Sequence, residues 1–213
     1  MSALIKRELL ILKNNFILFI CSVVLLPMFI YLFISIPFSF YIELSNGINY
    51  LHWSSVGNWI SSSVIMCYII SNKMASEYRK ESSLSSSSLV APISNNDHLM
   101  AIIIWSTLIG FSQLVFSIFI TLSLNSSNLF FTDIILAIIY IIPIILAVSN
   151  IGLFVGISSA DRFLNTVLNI TFLIVLLFSS GLFLPLDSNL PFIFLVSPLY
   201  MSCIDIQSII TND

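Results

Sequence analysis

Apolar runs close to the length needed to cross a lipid bilayer make up most of this chain, and they leave few folds open to it. The runs extend from about Phe16 to Ile36, Asn58 to Asn72, Leu99 to Leu122, Asp133 to Ile157 and Phe163 to Phe183. A hydrocarbon core about 30 Å thick takes about 20 residues of α-helix at about 1.5 Å per residue. Of 213 residues, 58% are hydrophobic and only 8% charged, whereas soluble domains carry about 25% charged residues. The expectation is an all-α, polytopic helical membrane protein. Its single transmembrane domain would occupy residues 1–213, with about five spans and no large soluble domain.

The segments between the runs refine this reading. In residues 1–15, the stretch ALIKRELLILKNN places Lys6, Arg7, Lys13 and Asn14 on about a third of a helical wheel. Leu10 falls inside that polar arc and Glu8 outside it. The expectation is an interfacial helix, the alternative a basic flank that orients the first span. Pro27 interrupts the first run and no small-x-small cleavage site follows it promptly, so this run does not read as a cleaved signal peptide. Residues 37–57, with Tyr41, Tyr50, His52 and Trp53, have the aromatic, mixed-polar composition of a membrane interface. Residues 184–213 are apolar but broken by Pro185, Pro191 and Pro198, which predicts short re-entrant helices rather than a straight sixth span.

Charge placement sets the sidedness. The seven basic residues are Lys6, Arg7, Lys13, Lys73, Arg79, Lys80 and Arg162. With five spans they all fall on one side, and the positive-inside rule makes that side cytoplasmic. The N-terminus and residues 73–98 are then expected in the cytoplasm and residues 184–213 outside. The 73–98 segment, KMASEYRKESSLSSSSLVAPISNNDH, is the most charged internal stretch. It reads as a loop, with a short helix around Glu77 to Leu89 ending before Pro92; the competing reading is a solvated serine-rich linker.

Several segments, in order, resemble the ABC-2 type permeases, the membrane subunits of bacterial ABC exporters. ALIKRELLILKNN followed by a run with Leu25–Pro27 is similar to that family's interfacial helix and first span. EYRKESSLSSSSLVAPIS at 77–94 is similar to its cytoplasmic loop, ending in Ala91, Pro92, Ile93 and Ser94. SGLFLPLDSNLP at 180–191 and SPLY at 197–200 are similar to its external re-entrant region. Two departures stand out. Ser82 and Ser83 occupy positions where the family often has glycine and threonine, and the family's sixth span is missing, as in a C-terminal truncation or a member that stops short.

The resemblance implies an ATP-driven exporter subunit in the bacterial inner membrane. Its substrate pathway would form in a homodimer or in a heterodimer with a related permease. No G-x-x-x-x-G-K-[ST] loop is present, so ATP hydrolysis is expected on a separate cytoplasmic ABC ATPase and not on this chain. Glu77, Arg79, Lys80, Glu81, Leu84 and Leu89 are the expected coupling residues. No cofactor, metal site, catalytic residue or nucleic-acid partner is expected. Span interiors hold no acidic residue and the two histidines, His52 and His98, sit at span ends, which argues against a proton-coupled carrier or an intramembrane enzyme. Gln113, Asn150, Asn165 and Asn169 are the candidates to line a pathway or to bond neighbouring helices. Gly152 and Gly156 form a G-x-x-x-G suited to close packing, within the bundle or between copies. The alternative function is a non-transporting scaffold or assembly factor that recruits a cytoplasmic partner.

The topology is checked by single cysteines, Ser86→Cys and Ser126→Cys, in an otherwise cysteine-free chain. The first is expected to react with an impermeant maleimide only from the cytoplasm and the second only from outside. Cytoplasmic labelling of the Ser126→Cys variant would overturn the five-span order.

Overall fold

A computed structural model describes residues 2–42, 44, 49–84, 95–124, 131–158, 162–179, 182–183 and 204–208. Among these the chain is all-helical, with no strand. Its helices are α1 (Ser2–Asn14), α2 (Phe16–Ile30), a π-helical turn (Tyr31–Ser35), α3 (Ile36–Ser39), α4 (Tyr50–Leu84), α5 (Asn95–Leu124), α6 (Phe131–Ser158) and α7 (Arg162–Ser179). Three stretches are long and apolar enough to cross a membrane: Phe16–Ser39, Asn95–Leu124 and Ile134–Ser158. Their outward surfaces are apolar, with Ile17, Leu18, Phe33, Phe119 and Phe154 among the most exposed side chains.

The centre of the bundle is α4, which packs most extensively against α6 and α5. Every residue from Ser54 to Ile65 is buried, so this helix has no outward face over three turns. Its sequence makes that possible. Ser55, Ser62 and Ser63 turn their hydroxyls onto carbonyls of their own helix, Ser55 Oγ donating to His52 O at 2.6 Å and Ser62 Oγ to Asn58 O at 2.7 Å. A serine so satisfied presents little more than an alanine-sized surface, and small surfaces let helices approach closely where lipid offers no hydrophobic drive. Trp59, Ile60, Val64 and Tyr68 fill the remaining volume.

The neighbours answer with matching stripes. On α5 the buried positions recur at three- and four-residue steps from Ala101 to Thr121, and on α6 Ala137, Ile141, Ile144, Ile145, Val148 and Ser149 do the same. Glycines set the closest approaches. A Cβ on Gly110 would lie 2.9 Å from Cys67 Cβ and 2.8 Å from Ile145 Cγ2. One on Gly152 would meet Ser71 Oγ and lie 2.9 Å from Tyr68 O, and one on Gly156 would lie 2.6 Å from Asn72 O. The G-x-x-x-G is therefore occupied within the chain, by α4.

The joint in the first span has a chemical cause. Pro27 has no N–H to give the carbonyl one turn before it, that of Val23. Gln113 Nε2 of α5 donates to Val23 O at 3.0 Å, and Asn58 Nδ2 of α4 donates to Pro27 O at 3.2 Å. Ten residues on, Pro37 likewise leaves the ladder without a donor, and the backbone adjusts by the π-turn, Ile36 N–H bonding to Tyr31 O.

Several boundaries differ from the sequence reading, the start of α5 at Asn95 rather than near Leu99 among them. Residues 73–84, expected in a loop, are the last three turns of α4. They contain Met74, Ala75, Glu77, Arg79, Lys80 and Glu81, all good helix formers, and no glycine or proline. Extending an existing helix also avoids the cost of a new nucleus. Ser82 and Ser83 lie within this helix, and the separate short helix expected around Glu77 to Leu89 is, as far as Leu84, part of α4. The run expected at 58–72 begins eight residues earlier, at Tyr50. The run expected to reach Phe183 is helical over Arg162–Ser179, while Leu182 and Phe183 form a bend buried against the start of α4, where Tyr50 Oη donates to Phe183 O at 2.6 Å. Of residues 184–213, only the helical turn at 204–208 is described, and its Ile206 joins the same apolar core.

Gly152→Leu is expected to force α6 off α4 and to lower stability by about 1–3 kcal/mol, read as a drop in the thermal midpoint of the detergent-solubilised protein. Ile151→Leu, one residue away on an outward face, is expected to leave the midpoint unchanged.

Candidate functional site

Apart from Asp133 and Asp205, the charged residues of the described helices gather at one end of the bundle. Past Asn72, α4 carries Lys73, Glu77, Arg79 and Lys80; α1 carries Lys6, Arg7, Glu8 and Lys13; α5 opens with Asp97 in its first turn, where a negative charge suits a helix N-terminus. At about 1.5 Å per residue, the twelve residues from Lys73 to Leu84 extend α4 by about 18 Å beyond its core section. α1 lies alongside this extension. Leu4, Ile5, Arg7 and Glu8 face Met74, Glu77, Tyr78 and His98 across a narrow cleft.

Two contacts of Tyr78 hold the ends of α4 and α5 together. The Tyr78 ring stacks on His98 with centroids 5.0 Å apart, and Tyr78 Oη donates to Asn95 Oδ1 at 3.1 Å. Glu77 pairs with Lys73 at 4.0 Å and Glu8 with Arg7 at 3.4 Å. The first of these pairs is well exposed and adds little to stability; its charges are available to a partner. Arg79 is half-buried and Lys80 exposed. Glu81 and Leu84 lie on the last turn of α4, but their side chains, and all of Leu89, fall outside the described residues.

The uncharged polar candidates do not converge on one place. Gln113 is fully buried and bonds the α2 joint. Asn150 is exposed and donates to Leu146 O of its own helix at 2.8 Å. Asn165 and Asn169, one turn apart on α7, meet a second pair one turn apart on α4. Asn165 Nδ2 and Asn169 Nδ2 donate to Asn72 Oδ1 at 3.2 and 3.3 Å, and Tyr68 Oη donates to Asn169 Oδ1 at 2.9 Å. Asn72 Nδ2 is shared between Asn165 Oδ1 at 3.3 Å and Gly152 O at 3.4 Å. Below them the Tyr68 ring stacks on Phe172, centroids 4.5 Å apart.

This network ties α4, α6 and α7 just beneath the charged extension. Sequence reasoning found its α7 half and missed Tyr68 and Asn72. The signal was present: Tyr68 and Asn72 have the same four-residue spacing as Asn165 and Asn169, the spacing that puts two side chains on one helix face. No group of three histidine, cysteine, aspartate or glutamate side chains able to hold a metal occurs among the described residues.

Asn72→Leu removes interhelical bonds worth on average about 0.6 kcal/mol each, so a loss of about 2 kcal/mol is expected. Asn150→Leu is expected to change stability by less than about 0.5 kcal/mol, because its amide bonds only its own helix. Denaturation in mixed micelles measures both. Compared with known proteins, the chain matches no family model, no curated protein and no solved structure.

Proposed function

We propose that this chain is the membrane subunit of an ATP-driven exporter of the ABC-2 permease type, acting in the bacterial inner membrane with its N-terminus in the cytoplasm. In this reading α7 and the central α4 are spans alongside the three longer apolar stretches, α1 lies along the cytoplasmic interface, and residues 184–213 are external. Two copies, or this chain and a related permease, form the substrate pathway. The second copy is needed on physical grounds, since the centre of one copy is filled by α4. A separate cytoplasmic ATPase binds at the charged end.

The observation that carries the reading is the continuity of α4. One helix joins a fully buried core section to a charged section that continues past it and lies beside the start of α5. Force applied to that end of α4 by a nucleotide-driven partner would be delivered along a rigid rod to the middle of the bundle. The basic residues at the same end fit a cytoplasmic face by the positive-inside rule. Glu77, Arg79, Lys80, Glu81, Leu84 and Leu89 are the residues assigned to coupling, on α4 and in the segment that follows it.

Replacing Glu77, Arg79, Lys80 and Glu81 together by serine is expected to lower co-purification of an ATPase with nucleotide-binding motifs by about tenfold or more, while the thermal midpoint of the membrane subunit stays near wild type. ATPase association and transport that both survive the substitution would end the exporter reading. Capture through these residues of a cytoplasmic partner with no nucleotide hydrolysis would favour the scaffold instead.

A further inference from the structure

Between α1 and α2 on one side and α4 and α5 on the other lies an open cavity of about 450 Å³, within the range of small-molecule sites. Its two parts differ in chemistry. Arg7, Glu8, Lys73 and Glu77 stand at the mouth, and Leu18, Phe19, Ile70, Trp105 and Ile109 line the interior. Below it a second, almost wholly apolar groove of about 490 Å³ follows α2, with Leu26, Phe29, Phe33 and Ile65 among its walls. Ser22 lines both, so the two are neighbours along one helix.

We infer that this groove binds a zwitterionic membrane phospholipid, with a phosphoethanolamine headgroup at the mouth and an acyl tail along α2. The mouth holds two cations and two carboxylates, a balance that complements a headgroup with one phosphate and one ammonium. Arg7 and Lys73 offer donors to the phosphate, the guanidinium in a geometry suited to bidentate bonding. Glu8 and Glu77 accept from the ammonium, which has N–H groups to give. An anionic headgroup would satisfy the cations and face both carboxylates.

Length also fits. From Leu18 on α2 to Phe33 in the π-turn the wall runs about 22 Å, enough to hold the tail of one leaflet, about 15 Å or half of the core thickness. Asn15, where α1 gives way to α2 and the apolar span begins, lines the same cavity. The Phe29 and Phe33 rings, stacked with centroids 4.5 Å apart, form a flat wall for a methylene chain. This inference requires that the helices sit in a bilayer and is independent of any ATPase.

The test is lipid titration of the delipidated full chain in detergent, read by native mass spectrometry as the number and identity of retained lipids. Dioleoyl phosphatidylethanolamine is expected to bind about tenfold more tightly than dioleoyl phosphatidylglycerol, the effect of about one charge-assisted hydrogen bond. Water-soluble glycerophosphoethanolamine, the same headgroup without tails, is expected not to compete. The double variant Glu8→Gln, Glu77→Gln is expected to reverse the preference towards phosphatidylglycerol, a gain that misfolding does not produce. Ser22→Trp, which closes the passage between the two parts, is expected to weaken both lipids and leave the headgroup preference intact. Equal retention of the two lipids by the wild type, competition by the tail-less headgroup, or an unchanged preference in the double glutamine variant would overturn the inference. So would protection of the groove by a second copy of the chain with no lipid bound.

Discussion

The bundle is organised by the demand that one helix be buried on every side. A helix with no outward face must offer each neighbour a surface it can approach, and α4 does so with serines whose hydroxyls are already bonded to their own backbone. Large side chains such as Trp59 and Tyr68 are then placed singly, where α5, α6 and α7 leave room for them. The glycines belong to the same solution. Gly110 on α5 and Gly152 and Gly156 on α6 stand where those helices come closest to α4, each at a point where a methyl group would strike backbone or Cβ atoms. In a lipid environment, where apolar burial does little to hold helices together, close packing and interhelical hydrogen bonds must supply the association.

That burial explains which polar groups occur where. The buried amides reach out of their own helix: Gln113 to Val23 O, Asn58 to Pro27 O, and Asn72 to Asn165 and Gly152. Asn150, on the outside, turns back to its own helix. An exposed amide in lipid has only its own backbone to bond, whereas a buried one can relieve a neighbour's unpaired carbonyl. Position in the bundle, rather than residue type, decides whether a polar side chain joins helices.

Much of this was legible from the chain alone. Hydropathy gave the helical class and the positions of the three long apolar stretches, because length and apolarity are properties of a single segment. The end of the bundle holding the charges followed from the order of basic residues. The α4 boundaries did not follow. Ser54 and Ser55 read as part of a polar interface, since the pairing that makes a serine small and apolar in effect exists only once the helix has formed. The continuation through Lys73 to Leu84 was obscured by the opposite weighting: charge was taken to mean loop, although those residues favour helix. The α4 half of the asparagine network was hidden for a third reason. Tyr68 and Asn72 are unremarkable on their own helix and acquire a role only opposite Asn165 and Asn169, a pairing across almost 100 residues.

The two helices that flank the lipid groove differ in stiffness, and the difference has a direction. α4 is continuous through 35 residues, without proline, and is held along its length by the stripes of α5 and α6. The α2 stretch contains Pro27 and Pro37 and a π-turn between them, and its interrupted ladder depends on amides borrowed from α4 and α5. A displacement of the charged end would therefore travel along α4 with little loss. It would appear at α2 as a change in how Asn58 and Gln113 meet the carbonyls of Pro27 and Val23. Those two bonds lie at the joint itself, so the part of α2 next to α1 and the part beyond Pro27 need not move together. The groove between α2 and α4 spans this joint, with its charged mouth set by α1 and the α4 extension and its apolar depth by the segment around Pro27. Its width is consequently the dimension of the bundle most sensitive to relative motion of the stiff helix and the jointed one.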